Sequence, residues 1–247
     1  MSKYIVQMKA IEKSFNVSKV LHGVDFSLKE GSIHALLGEN GTGKTTLMNI
    51  LGGVLPANSG EIYIDGEKTA IAKPNDATEK GIAFIHQELT LINDLNVYEN
   101  LFLGTELKTG ILLNQKDMAV RSREILDKME VDLDPHTMVR DLNASYKQIV
   151  EIARALLKNA RVIIMDEPTA SLTDVEIEHI FTLMRGLKKK GVSFVFISHK
   201  LNEVIKICDE YTIMRDGRVV ADGNLTEDIT ENDLAKHMCC ITVKSTS

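Results

Sequence analysis

Apolar positions along the chain fall into short, nearly continuous runs. Four of them read as buried strands: 33–37 (IHALL), 82–85 (IAFI), 162–165 (VIIM) and 193–197 (SFVFI). Strands apolar on both faces belong in a parallel sheet covered by helices on each side. Helical spacing follows three of the four directly. The segment 45–51 opens after a glycine-rich turn, and 201–207 follows the fourth run. The segment 174–190 carries Val175, Ile177, Ile180, Leu183, Met184 and Leu187 at helical intervals, and Gly191 is placed to end it. Strands alternating with helices predict an α/β fold with a mostly parallel sheet. Shorter runs at 4–8, 24–28, 61–64 and 218–221 are separated by turns such as Asp65-Gly66 and Asp216-Gly217. They predict antiparallel strands flanking that core. Between Leu89 and Lys158 the strand signal disappears. Helical stretches at 97–103, 115–129 and 145–157 predict an all-helical insertion over 89–158, with the core and its antiparallel β subdomain in 1–88 and 159–230. These parts make one domain over 1–240, and a last short helix at 231–237 opens a C-terminal segment over 231–247.

Composition narrows this picture without changing it. The chain has 247 residues, 44% hydrophobic and 26% charged, which suits a globular protein with its own core. With 29 Lys+Arg against 35 Asp+Glu the net charge is −6, which argues against nucleic acid as the main partner but leaves room for a local phosphate site. Of the three cysteines, Cys239 and Cys240 are neighbours that do not readily bridge, and Cys208 has no companion at zinc-ligand spacing. A reduced, cytosolic compartment is expected. The apolar runs are far shorter than the roughly 18–20 residues of a membrane span. The opening MSKYIVQMKA has no apolar signal core. The chain is therefore expected neither to cross a membrane nor to be exported.

The candidate chemistry begins at residues 38–46, GENGTGKTT. They fit G-x-x-x-x-G-K-[ST] through Gly38, Gly43, Lys44 and Thr45, between a buried strand and a helix, which is the context this phosphate-binding loop requires. Glycines let the amides of Asn40, Gly41, Thr42, Gly43 and Thr46 close around phosphate oxygens, and the helix start adds partial positive charge. Lys44 is expected to reach the β- and γ-phosphates and Thr45 to offer a hydroxyl to Mg²⁺. A G-x-G-x-x-G dinucleotide pattern is absent from the loop. A second element, VIIMDEP over 162–168, carries Asp166 and Glu167 to a strand end. Asp166 is a candidate Mg²⁺ ligand and Glu167 a candidate general base. Taken alone, the pair also suits acids capping a strand before the turn at Pro168.

With these elements in place the chain resembles the nucleotide-binding subunits of ABC transporters over nearly its whole length. The resemblance rests further on Gln87 in FIHQE, His199 in FISHK, the loop ASLTD at 170–174 and the helix QIVEIARALL at 148–157, all in the family's order. It implies a P-loop NTPase core that binds ATP and Mg²⁺. Glu167 would activate water, His199 would hold the γ-phosphate, Gln87 would couple metal and water to the helical insertion, and Thr45, Gln87 and Asp166 would surround the metal. Phe15 looks like the family's adenine platform, with Val20 packing on the same base; its other reading is a packed strand-end aromatic. Within the family the sequence is most similar to the first cassette of simple-sugar importers of the ribose, galactose and xylose type. Those importers usually carry two cassettes on one chain, and this one ends where the second would begin, as a half-length protein or as a fragment. The implied partners are a second cassette (a homodimer mate or the missing C-terminal half) closing head to tail around two ATP, membrane permease subunits, and indirectly a sugar-binding protein, but no nucleic acid. The implied place is the cytoplasmic side of the cell membrane, peripherally bound, with Leu89 to Leu103 and the rest of the insertion receiving a permease helix.

One departure matters. Where the family has L-S-G-G-Q, this chain has Leu142, Asn143, Ala144, Ser145 and Tyr146, and its 170–174 loop has Thr173 where aspartate is common. Asn143 can still donate and cap a helix. Ser145 adds bulk where backbone should approach closely. The expected function is hydrolysis of ATP to drive import of a small sugar. The alternatives are a clamp that binds nucleotide with little hydrolysis, and a non-transport ATPase of the same family.

Overall fold

The computed structural model describes residues 3–110 and 112–238. Strands β1 (Tyr4–Phe15) and β2 (Ser18–Lys29) form a long antiparallel hairpin, after which β3 (Ile33–Leu37) runs into helix α1 (Lys44–Leu51). There follow β4 (Ser59–Ile64), β5 (Glu67–Thr69), α2 (Pro74–Glu79) and β6 (Ile82–Ile85). Next come α3 (Val97–Leu101), a small ribbon of β7 (Lys108–Thr109) and β8 (Leu112–Leu113), α4 (Gln115–Lys128) and α5 (Ala144–Leu157). The described chain closes with β9 (Val162–Asp166), α6 (Asp174–Lys189), β10 (Ser193–Ile197), α7 (Leu201–Ile207), β11 (Glu210–Arg215), β12 (Arg218–Asn224) and α8 (Glu231–Met238).

The six-stranded sheet has the order β12-β11-β3-β10-β9-β6, and only the β11–β12 edge is antiparallel. The order β2-β1-β4-β5 makes a second, wholly antiparallel sheet. The four continuous apolar runs are the neighbouring inner strands β3, β10 and β9 and the edge strand β6, and alternate residues serve two cores. Ile33, Ala35, Phe194, Phe196, Ile163 and Met165 join one core with α5 and α6 through Ile152, Ile180, Phe181 and Met184. Leu36, Val195, Ile197 and Ile164 join the other, with Leu47 and Met48 of α1 and Val6, Leu21 and Phe26 of the antiparallel sheet. Cysteine plays no cross-linking part among the described residues, where Cys208 is free and buried; Cys239 and Cys240 lie outside them.

Helix ends follow the chemistry of the sequence. In α6, Thr173 caps the start, and Gly191 at φ +91° lets the chain turn back. The amides of Gly191 and Val192 then satisfy the carbonyls of Lys188 and Leu187, at 2.9 and 3.1 Å.

Three expectations need correction. The first hairpin is longer than 4–8 and 24–28 because Ala10, at φ 49°, forms a bulge that breaks the alternation of buried and exposed residues; its amide is held by Asp25 Oδ1 at 2.7 Å. Strands β5 and β11 and helix α2 were not anticipated. The segment expected to be all-helical contains the β7–β8 ribbon, closed around Gly110 at φ +65° and joined at its base by Asn114 N–H to Leu107 O at 2.8 Å. Two residues per strand are too few for a period-two signal, and Leu112 and Leu113 are both exposed.

The turn between β11 and β12 braces the loop that joins β3 to α1. His22 N–H donates to Gly217 O at 2.9 Å, and Gly217 N–H donates to Thr42 O at 3.2 Å. A Cβ on Gly217 would lie 2.0 Å from Val20 O, whereas one on Gly66 would meet open space; both glycines have positive φ. Gly66→Ala is expected to cost about 1–2 kcal/mol, the strain of left-handed backbone alone. Gly217→Ala is expected to cost clearly more, read as a larger fall in denaturation midpoint. Equal falls would mean that the turn yields freely.

Candidate functional site: a phosphate loop facing two carboxylates

Parallel register brings the ends of β3, β9 and β10 level, since Ile197 pairs with both Leu36 and Asp166. Loops leaving these ends therefore meet over one edge of the sheet, the usual ligand edge of an open parallel sheet. Residues 38–43 join β3 to α1, with Gly38, Gly41 and Gly43 at φ 148°, 82° and 99°. A Cβ on Gly38 would stand 2.3 Å from Met214 O, and one on Gly43 2.7 Å from Leu21 Cδ2, so only glycine lets the loop sit between β11 and β2. Thr42 Oγ1 donates to Glu39 O at 2.9 Å and tightens the turn. Helix α1 has neither a side-chain cap nor an acid in its first turn. Its leading amides thus remain available to an anion.

Lys44 is buried and folds back over its own loop, donating to Gly38 O at 2.7 Å and Glu39 O at 2.9 Å. Burial pulls its pKa down, while the charges of Glu167 and Asp166 work in the opposite direction. Asp166 shows the reverse balance. Burial first and the Glu167 charge second push its pKa up, and Lys44 and His86 offset part of this.

Glu167 sits at φ 48°, a costly backbone for a side chain of its size, and its N–H is fixed to Ile197 O at 3.0 Å. Its Oε1 lies 2.8 Å from His199 Nδ1, while its Oε2 is buried without a hydrogen-bond partner. A buried carboxylate oxygen left open in a polar cavity is a place for a donor such as water.

A cavity of about 320 Å³ gathers these groups. Val20, Asn40, Gly41, Gly43, Lys44, Thr45 and Thr46 line it on the loop side, and Gln87, Asp166 and Glu167 complete it, together with Ile197, which the sequence analysis did not name. Ile197 looks like any other strand residue in the sequence, so no signal marked it. Gly38 and Thr42 shape the loop from behind. His199 is largely exposed and reaches the site through Glu167. Phe15 is not part of the wall; it is half-exposed near the tip of the first hairpin, with the Lys13 ammonium 5.2 Å from its ring centre. A wider cleft of about 670 Å³ between β2 and β12, lined by residues such as Asp25, Arg218 and Asp222, holds none of the expected site residues and no glycine cradle.

The LNASY segment lies outside the phosphate cavity. Asn143 caps α5: its Oδ1 accepts the Tyr146 N–H at 2.9 Å and the Ser145 hydroxyl at 3.0 Å. Ser145 is buried, the Tyr146 ring meets His179 edge-on at 5.5 Å, and Leu142 packs against the larger core. Ala144 lines a second cavity, of about 300 Å³, together with Gln87, Glu167 and Ser171. Thr173 has a structural task, since its N–H and hydroxyl both donate to Glu176 Oε2, at 3.0 and 2.9 Å.

The donors suit Mg²⁺ in kind: the Thr45 hydroxyl, the Gln87 carboxamide oxygen and the Asp166 carboxylate are hard oxygen ligands. Among the described residues no group of three His, Cys, Asp or Glu side chains could hold a metal by itself. The open Oε2 of Glu167 also fits a site completed by phosphate oxygens and water.

A glycine cradle at a helix start, a buried lysine and an acidic strand end together define a P-loop nucleoside-triphosphate-binding domain. The chain belongs to the ABC transporter family, whose pattern it matches over residues 21–170. It is 48% identical to the ribose import ATP-binding protein RbsA of Bacillus subtilis, over 90% of this chain and 45% of that protein. It is 44% identical to the xylose import ATP-binding protein XylG of Thermoanaerobacter pseudethanolicus, over 96% of this chain and 47% of that one. The chain thus spans about half the length of the curated relatives it matches. Among solved structures, a nucleotide-free ATP-binding cassette from an ABC transporter is similar with a TM-score of 0.83 at 29% identity, covering 94% of this chain and 95% of that one. A dimeric post-hydrolysis state of the cassette MJ0796, bound to ADP and Pi, has a TM-score of 0.73 at 27% identity, covering 90% and 99%.

The raised pKa of Asp166 gives a prediction with a definite sign. Folding favours its protonated form, so its contribution to stability is complete below the ordinary value of 3.8 and is lost as pH rises through the higher native value. Asp166→Asn is therefore expected to raise the Tm of the nucleotide-free, Mg²⁺-free chain near neutral pH, with the gain fading in acid. A Tm lowered near neutral pH would show that attraction to Lys44 outweighs burial and the Glu167 charge.

Proposed function

We propose that this chain hydrolyses ATP as the energy-coupling cassette of a sugar importer. The observation that carries the reading is Glu167: one oxygen is paired with His199 and the other is buried and open, in a cavity shared with Lys44, Thr45 and Asp166. Lys44 and the amides that open α1 would bind the β- and γ-phosphates and stabilise charge as it develops. Glu167 Oε2 would accept a proton from water as the water oxygen attacks the γ-phosphorus in line with the departing ADP oxygen. His199, bonded to Oε1, would hold that carboxylate in place and contact the γ-phosphate. Mg²⁺ held through Thr45, Asp166 and Gln87 would supply charge neutralisation at the phosphates. Val20, which lines the cavity, would pack on the base, and Phe15, outside its wall, would be the aromatic platform.

Hydrolysis would take place in a head-to-tail pair with a second cassette. The capping geometry supports a working signature segment: with Asn143 Oδ1 engaged inside the helix, its amide NH₂ is the group left to donate outward. The reading of a sugar importer is supported by the import ATP-binding names of relatives 44–48% identical. A groove of about 310 Å³ between α2, the end of β6 and α5, bordered by Val54, Ala77, Phe84 and Arg154, suits a helix from a membrane permease; it is lined by α5 of the insertion but not by Leu89 to Leu103, where the sequence leads us to expect that helix. No helix among the described residues is long and apolar enough to cross a membrane, which accords with peripheral attachment through that permease on the cytoplasmic side.

Calorimetry with ATP is expected to show binding to the unaltered chain and none to Lys44→Ala. Glu167→Gln is expected to keep nucleotide affinity and to lose about 10²–10⁴-fold in kcat, the usual worth of a general base. Wild-type turnover by Glu167→Gln would remove this residue from its assigned role.

A further inference from the structure

Gln87 lies on an irregular stretch between the end of β6 at Ile85 and the Asn96 cap of α3. Through residues 86–91 that stretch makes no backbone–backbone hydrogen bond among the described residues. Its position must therefore come from side chains. Farther along, buried Asn100 holds Ile92, accepting its N–H at 2.8 Å and donating to its carbonyl at 3.0 Å. Nearer to Gln87 the anchor is Thr90, and three residues close a ring there. Glu151 Oε1 accepts the Thr90 amide at 2.9 Å and the Thr90 hydroxyl at 3.1 Å. Glu151 Oε2 pairs with the Arg154 guanidinium, which also donates to Thr90 Oγ1. Glu151 is 5% exposed, so this is a buried charge with both oxygens used, two turns into the helix that Asn143 begins.

We propose that Thr90, Glu151 and Arg154 form a positioning latch that fixes Gln87 against the catalytic cavity and ties it to α5. Gln87 is three residues from the latch and lines both the phosphate cavity and the cavity shared with Ala144 of α5. Glu151 and Arg154 also border the groove beside β6. An occupant of that groove thus meets the latch before it meets Gln87, and a shift of Arg154 loosens the segment that carries the glutamine. None of the three residues lines the phosphate cavity, so they act through Gln87. The proposal rests on the reading of the chain as an ATPase only for its kinetic consequence; the mechanical part stands on the hydrogen bonds.

The test uses the full chain with Thr90→Val and Glu151→Ala, and Thr90→Ser as the conservative control. Hydrogen exchange at the residue-90 amide, the one amide of 87–90 with a bonded acceptor, is expected to quicken by about tenfold or more in the first two variants and to stay near the native rate in Thr90→Ser. Steady-state kinetics are expected to show kcat down by about tenfold with KM for ATP changed less than about twofold. In a Gln87→Ala background the further loss of kcat should shrink to less than about twofold, since a device acting through Gln87 has nothing left to position. Unchanged exchange in both variants, or kinetic losses that multiply in full with Gln87→Ala, would overturn the proposal. An unaltered chain with no turnover at all would instead count against the ATPase reading, and the exchange result would still decide the latch.

Discussion

A lysine ammonium held out of water opposite two carboxylates is the constraint on which the rest of the site depends. Lys44 makes no salt bridge with Asp166 or Glu167 among the described residues; its nitrogen is bonded to two carbonyls of its own loop. Burial disfavours its charge and that of Asp166, and each group's charge favours the other's. The site is therefore charged, desolvated and incompletely neutralised. A polyanion with a divalent cation resolves both imbalances at once, because phosphate oxygens can take the ammonium and the helix amides while the cation takes the carboxylate. The orphaned oxygen of Glu167 belongs to the same unfinished state.

The fold earns this arrangement through register. Parallel pairing of β3, β10 and β9 sets three strand ends level, and each end releases one functional segment. Glycines at 38 and 43 let the first segment pass between neighbours where a Cβ would collide. The left-handed backbone at Glu167 turns the second toward His199 on the third. Gln87 arrives from β6, the outer strand of the same sheet, on a segment that lacks backbone pairing over 86–91 and is held by side chains.

What could be read from the sequence follows from which forces are local. Continuous apolar runs named three of the four inner strands, β3, β10 and β9, and the edge strand β6, because apolar residues on both faces leave an unmistakable pattern. The phosphate loop was legible because glycine, lysine and threonine are each demanded by chemistry at fixed spacing. Strand β11 was missed because Glu210 and Thr212 look like surface residues, yet both are buried: Glu210 is paired with Lys29, and Thr212 Oγ1 is 2.8 Å from His34 Nε2. Those partners are far away along the chain. The bulge at Ala10 hid the length of the first hairpin for the same reason, since the carboxylate that stabilises it comes from Asp25 on the opposite strand. Thr173 looked like a departure from a pattern and proved to be a helix cap. The ring of Thr90, Glu151 and Arg154 was invisible because nothing in LTLIN or VEIAR announces that they meet.

The most direct measurement is a crystal structure of the chain with a non-hydrolysable ATP analogue and Mg²⁺. The account predicts the β- and γ-phosphates against the amides of Gly43 to Thr46, with Lys44 Nζ moved from Gly38 O onto a phosphate oxygen and a water on Glu167 Oε2. An analogue bound elsewhere, such as in the wide cleft between β2 and β12, with Lys44 still on its loop carbonyls, would contradict it.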